Sequence, residues 1–148
     1  MSEHNDATDE PLLDRAEMFD SYIATLLATC HEDDGDPLDA DYDRSDFHPH
    51  TISELRKRME AFCDANADDL EKAVNEVGYD SAQAGADLAL SQNGHGAGFF
   101  DRNLGDLGDR LQEAARKQGH AELYEGDDNR IYASGMEPPR RLFRHGKP

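Results

Sequence analysis

Apolar residues recur along this chain in two rhythms, a helical one through most of its length and a strand-like one near the end. From Leu12 they fall at Leu12, Ala16, Phe19, Ile23, Leu26 and Cys30, steps of four and three that keep one stripe on one side of an α-helix. His31-Glu32-Asp33-Asp34-Gly35-Asp36-Pro37 stops that helix, because glycine and proline both break it. A long acidic loop is expected from there to about Pro49. Thr51 and Glu54 then have the spacing of a capping box, in which each side chain satisfies a backbone amide left free by a new helix. The stripe of that second helix is Ile52, Leu55, Met59, Phe62 and Cys63, extended beyond a bend near Asn66 by Leu70, Val74 and Val77, as far as Gly78.

A third, shorter helix is expected from about Ser81 to Gln92, carrying Ala84, Leu88 and Leu90 inward. A glycine-rich loop follows and ends in the aromatic pair Phe99-Phe100, after which Asn103 is placed to cap a fourth helix. Leu104, Leu107, Leu111, Ala114 and Ala115 mark the buried face of that helix, and Gly119 closes it. His120 to Glu125 and Arg130 to Ala133 read as two short strands joined by the turn Gly126-Asp127-Asp128-Asn129. An isolated hairpin is marginal in water, so this one must lie on the helices. The expected fold class is therefore α+β and predominantly helical, with four or five helices packed on a small C-terminal two-stranded β-hairpin. The expected organisation is a flexible N-terminus over 1–8, a single acidic globular domain over 9–134, and a basic flexible tail over 135–148.

Composition changes this picture chiefly through charge. A chain of 148 residues can bury a core without metal or disulfide staples, and Cys30 and Cys63, each on an apolar face, read as buried thiols. No apolar run of membrane-spanning length and no signal peptide is visible, which points to a cytoplasmic protein. The net charge is −18 at pH 7. Fifteen of the 33 acidic residues lie in the first fifty positions, against two basic ones, Arg15 and Arg44, leaving that block about thirteen charges negative. Such a field opposes direct binding of nucleic acid. The sign reverses at the end, where Pro138 to Pro148 holds four basic residues and no acidic one, a tail able to fold back on the acidic surface.

Three stretches carry a likeness to other sequences. They are Leu90-Ser91-Gln92-Asn93-Gly94-His95-Gly96-Ala97-Gly98-Phe99-Phe100-Asp101-Arg102, then Leu107-Gly108-Asp109-Arg110-Leu111, and Leu123-Tyr124-Glu125-Gly126-Asp127-Asp128 with Ile131-Tyr132. Together with Asp33-Asp34-Gly35-Asp36-Pro37-Leu38 they resemble a family of small uncharacterised bacteriophage and prophage proteins, over most of the chain. The chain departs from that family in its basic tail and in Phe100, where a larger aromatic is typical. The resemblance implies a phage context and brings no reaction, ligand or catalytic residue with it.

Several groups invite chemistry, each beside a plainer reading. Glycines at 94, 96 and 98 ahead of a helix could let amides approach an anion. They equally make a tight connection in which Phe99 and Phe100 plug the core and Asp101 pairs with Arg102 or with free amides. Asp39, Asp41 and Asp43 mimic the opening of a calcium loop, but Arg44 stands where that loop needs glycine and His50 where it needs glutamate. His48, His50, Cys63, His95 and His120 lack zinc-site spacing. Neither a metal nor a cofactor is expected. An acid-base site built from His95 with Asp101 or Asp127 would make a small phage accessory enzyme, and a structural or assembly protein using the same loop is a further alternative.

The acidic block is either a solvated face, or an adaptation to a salty host cytoplasm, or a surface whose carboxylates stand in for DNA phosphates. With the phage resemblance, the last reading implies a non-enzymatic inhibitor of a basic DNA- or RNA-binding protein of the host, of the anti-CRISPR or anti-restriction type. The candidate partner-binding residues are Asp14, Glu17, Asp20, Glu32, Asp33, Asp34, Asp36, Asp39, Asp41, Asp43 and Asp46. No membrane contact is expected, and a homodimer is compatible with the sequence.

Overall fold

A computed structural model describes residues 12–76 and 78–139, in which the helical rhythm resolves into five helices followed by a hairpin. These are α1 (Arg15–Thr29), α2 (Pro49–Ala65), α3 (Ala67–Val74), α4 (Ser81–Gln92) and α5 (Asp106–Gln118), then β1 (Leu123–Glu125) and β2 (Ile131–Ala133). The fold is α+β and mostly helical, as the periodicity predicts. The segment 1–8, Val77 and the tail from 140 onward lie outside the described residues.

Asp14 starts α1 from an extended conformation, its carboxylate accepting the Glu17 amide at 3.1 Å. The buried face then takes two residues per turn, Met18 with Phe19, Tyr22 with Ile23, and Leu26 with Leu27. This is wider than the expected single stripe, and Leu12 (57% exposed) and Ala16 lie outside it. The reason is the number of neighbours: α4 packs along one flank while α2 and the loop before it cover the rest. The α1–α4 contact is the most extensive between any two helices. At its centre a Cβ on Gly85 would stand 2.1 Å from the Met18 carbonyl oxygen, so only glycine allows the two backbones to touch. Asp14 N–H donates to Ser81 Oγ at 2.7 Å, Ser21 Oγ donates to the Ala82 carbonyl at 2.6 Å, and Tyr22 Oη donates to Gln92 Oε1 at 2.7 Å. Those bonds run the length of the seam.

The helix α2 begins three residues earlier than the Thr51–Glu54 spacing suggests. His48 Nδ1 accepts the His50 amide at 3.1 Å, and Pro49 occupies the first turn, where no amide is needed. Thr51 is thereby turned inward and fully buried, donating its hydroxyl to the Met136 carbonyl at 3.0 Å, so the expected capping box does not form. The bend at Asn66 is present, its side-chain amide donating to the Phe62 carbonyl at 2.9 Å between α2 and α3. α5 likewise starts later than expected. Asn103 sits at φ 60 and Gly105 takes the cap position, because the chain must turn through both before helical angles are possible.

The antiparallel register pairs Leu123 with Ala133, Tyr124 with Tyr132 and Glu125 with Ile131. Leu123, Ile131 and Ala133 are buried, and the tyrosine rings stack at 5.8 Å between centroids on the other side of the ribbon. The acidic loop joins the ribbon through Phe47, which bridges Ile131, and through His48 N–H, which donates to the Ile131 carbonyl at 3.0 Å. Arg58 of α2 donates to the carbonyls of Gln118, Gly119 and His120, satisfying the end of α5 with a positive charge. The packed chain continues beyond the expected boundary at 134, since Met136 is buried and Glu137 accepts the Tyr124 hydroxyl at 2.5 Å. Cys30 and Cys63 are both buried free thiols, and burial pushes the Cys63 thiol up to about 11.

Gly85→Ala tests the seam. Alanine is the better helix former by about 1 kcal/mol, yet overpacking against the Met18 carbonyl should lower stability by about 1–3 kcal/mol, seen as a lower urea midpoint at unchanged slope. An unchanged or higher midpoint would show that the helices need no backbone contact there.

Candidate functional site

The eleven acids singled out from the sequence all lie among the described residues, and the structure divides them by what their carboxylates do. Asp14, Glu17 and Asp20 follow one another at three-residue spacing along the exposed edge of α1. The loop after α1 is not irregular. His31 bridges Pro37, Glu32 N–H donates to the Asp36 carbonyl at 2.7 Å, and a tight turn forms with Asp33, Asp34 and Asp36 exposed around it. Leu38, fully buried, pins the turn to the core. Two 3₁₀ turns complete the loop, Leu38–Ala40 and Arg44–Asp46. Asp43 and Asp46 hold the second one by a reciprocal cap, Asp43 accepting the Ser45 amide at 2.9 Å and Asp46 accepting the Asp43 amide at 2.8 Å.

The loop is fastened to α1 by its own basic residue. Arg44 pairs with Asp20, and its guanidinium lies over the Phe19 ring at 5.0 Å, a cation–π contact that Arg56 repeats at 4.1 Å. Between α1 and the loop runs a groove of about 370 Å³. Ile23, Ala24 and Leu27 line its apolar side, Tyr42 stands in its wall, and Asp20, Asp39 and Asp43 rim it beside Arg44. Apart from Asp20, Asp39, Asp43 and Arg44, none of these lining residues was marked by the charge pattern. The signal for the apolar part was available in α1, where Ile23 and Leu27 sit four apart beside the exposed Ala24.

A second cluster gathers where the turn meets the hairpin. Glu32 Oε2 is shut off from solvent with no donor from the protein as a carboxylate. The neighbouring Asp41 carboxyl, desolvation and the nearby charges of Asp34 and Glu125 all favour the protonated acid and lift Glu32 to about 7. Tyr42 Oη donates to Glu125 Oε2 at 2.5 Å, and that bond pushes the phenol up to about 12. Glu125, 83 positions along the chain from Tyr42, thus belongs to the same face. Glu17, Asp33, Asp36 and Asp39 make no side-chain hydrogen bond or ion pair among the described residues, whereas Asp14, Asp34, Asp43 and Asp46 accept backbone amides.

The glycine-rich loop is built as scaffold. Phe99 is fully buried and stacks on Phe62 at 5.8 Å, but Phe100 is 44% exposed and does not plug the core as expected, because the 3₁₀ turn Phe99–Asp101 turns adjacent side chains apart. Gly98 has φ 142, and a Cβ there would stand 2.2 Å from Ser91 Oγ, so the position admits glycine alone. Asp101 accepts the Gly98 amide at 3.1 Å, while Arg102 reaches past it to Asp87 of α4 at 2.9 Å. Asp87 is completely buried and also accepts from the Tyr79 hydroxyl at 2.7 Å and Gln83 Nε2 at 3.1 Å. A charge on the same arc of α4 as Ala84 and Ser91 was the sequence signal for this network. His95 is exposed, and among the described residues no group of three His, Cys, Asp or Glu side chains is placed to hold a metal ion. No described helix is long and apolar enough to cross a membrane.

No family model, no curated protein and no solved structure matches the chain.

Two measurements probe these clusters. The Glu32 pKa is raised from its usual 4.5 to about 7, so the stability it contributes is full below about pH 4.5 and is lost as pH rises through 7. Glu32→Gln should accordingly match the parent near pH 4 and melt at a higher temperature at pH 8; equal melting curves at both would show that no proton is held there. Arg102→Met leaves the Asp87 charge buried without its counter-ion, and denaturant titration should show a loss of about 3 kcal/mol. A loss below 1 kcal/mol, the size expected of the exposed Lys57–Glu54 pair, would mean that the loop is held by Phe99 alone.

Proposed function

We propose that this protein is a non-catalytic, phage-type inhibitor that occupies the basic surface of a host DNA- or RNA-binding protein in the host cytoplasm, in the manner of anti-CRISPR or anti-restriction proteins. The observation that supports the reading is the rigid mounting of the acids. Carboxylates on a floppy segment lose conformational entropy when a partner orders them, whereas here caps, bridges and the Arg44 clamp hold the backbone that carries them. Glu17, Asp33, Asp36 and Asp39 present unpaired charges from that frame, with Asp14, Asp20, Asp34, Asp43 and Asp46 around them and Glu32 and Asp41 beside them. A basic groove that attracts nucleic acid through long-range charge would be drawn to this face by the same force.

The groove adds what a phosphate backbone lacks. The exposed Ala24 and the half-buried Tyr42, above the buried Ile23 and Leu27, can receive the aliphatic stem of an arginine or lysine whose head pairs with Asp39 or Asp43. Charge supplies rate and orientation in such a complex, and the apolar contact slows its dissociation.

Affinity capture from a bacterial host lysate, followed by binding measurements on the purified partner, tests the proposal. A basic nucleic-acid-binding protein should be held at low salt, be displaced by duplex DNA, and be released near half-molar salt, where the screening length is about 4 Å. The combined change Asp33→Lys, Asp36→Lys and Asp39→Lys should weaken it at least tenfold, about 1.4 kcal/mol. Binding that survives half-molar salt, or that duplex DNA fails to displace, overturns the mimicry.

A further inference from the structure

We propose that the groove between α1 and the acidic loop is the docking site of this chain's own basic segment, residues 140–147. Three observations converge on that occupant. The groove asks for apolar side chains flanked by positive charge: its sides are Ile23, Ala24, Leu27 and Tyr42, and its rim carries Asp20, Asp39 and Asp43, with only the Asp20 charge already answered by Arg44. The segment Arg140-Arg141-Leu142-Phe143-Arg144 has that pattern, an apolar pair between arginines, and Lys147 follows. No other nine-residue stretch of the chain holds four basic residues and no acidic one; the Arg56-Lys57-Arg58 run of α2 is bounded by Glu54 and Glu60.

Reach is sufficient. The last packed residues are tied beside the start of α2, Met136 through its carbonyl to Thr51 and Glu137 to Tyr124. Thr51 is seven positions from Arg44, which stands at the groove, so the two are separated by less than the ~25 Å that seven extended residues span. The 3₁₀ turn and helix start between them shorten this further. Seven residues also separate Met136 from Phe143. The apolar pair can therefore reach the groove without disturbing the hairpin. A tether this short gives an effective concentration on the order of millimolar, so even a weak contact is well populated.

Docking of the segment covers the apolar side of the groove and neutralises charge on the acidic face. If the face binds a basic protein as proposed above, residues 140–147 compete with that protein, a consequence that rests on the proposed function although the docking itself does not. The docking test needs no partner protein, so the two ideas can fail separately.

Amide NMR spectra of the full chain and of a chain ending at Pro139, recorded at low salt, decide the matter. Truncation should shift the signals of Ile23, Ala24, Leu27 and Tyr42 and leave those of Gly94, Gly96 and Gly98 in place. A synthetic peptide of residues 138–148, added at millimolar concentration to the shorter chain, should restore the original shifts. Ala24→Arg in the full chain, an exposed position where a longer side chain is tolerated, should reproduce the spectrum of the shorter chain around the groove, as should Leu142→Asp with Phe143→Asp. These full-length variants serve if the shorter chain does not fold. Groove signals indifferent to both truncation and the substitutions overturn the proposal, as do shifts confined to the hairpin. Shifts that grow with protein concentration alongside a dimer mass would place the segment on a second copy, and the intramolecular docking would be wrong.

Discussion

The backbone of α4 lies directly on the backbone of α1 at Gly85, and the rest of the molecule is arranged around that contact. It is a steric constraint with a chemical consequence. Helices held this closely leave no room for side chains at the crossing, so the polar groups on either side are drawn into short bonds, Ser81 with Asp14 and Tyr22 with Gln92. They also force α1 to spend one flank on α4. The opposite edge, from Asp14 to Leu27, is left to face the loop and solvent, and that edge carries the acids and the groove.

Charge is handled in two different ways on the two sides of this frame. On the α4 side a single carboxylate, Asp87, is buried with a full set of donors from Arg102, Tyr79 and Gln83, an arrangement whose worth lies in fixing the position of the glycine-rich loop rather than in net stability. On the α1 edge many carboxylates stay in water, and their mutual repulsion is limited by caps, by Arg44 and by the raised proton affinity of Glu32. The glycine-rich loop is thus built into the scaffold, and the segment richest in charge is the one left in water.

Helical periodicity made the five-helix core legible. The span of α4 and the bend at Asn66 follow directly from apolar spacing and breaker residues, because those depend on neighbours in the chain. The starts of α2 and α5 were less legible. Thr51 has the spacing of a cap, yet the Met136 carbonyl, 85 positions away, takes its hydroxyl, and Asn103 gives its place at the helix start to Gly105 after a left-handed turn. Phe99 and Phe100 are chemically identical and adjacent, and only the 3₁₀ turn separates a core residue from a surface one.

The sequence by itself determined which stretches are helical, that a hairpin follows them, and that the first fifty residues carry an excess of negative charge, since each of these is a property of local order and composition. Tertiary structure alone decided which acids remain exposed and unpaired, that Glu125 and Tyr42 join their face, and that an apolar groove lies between Asp20 and Asp39. Those facts depend on which distant segments come within a few ångströms of one another, and the closeness of α1 to α4 and the clamp of Arg44 on Phe19 and Asp20 set those distances. Spacing along the chain fixes the face on which a side chain starts; the partner across the fold fixes whether its charge is buried, shared or offered to solvent.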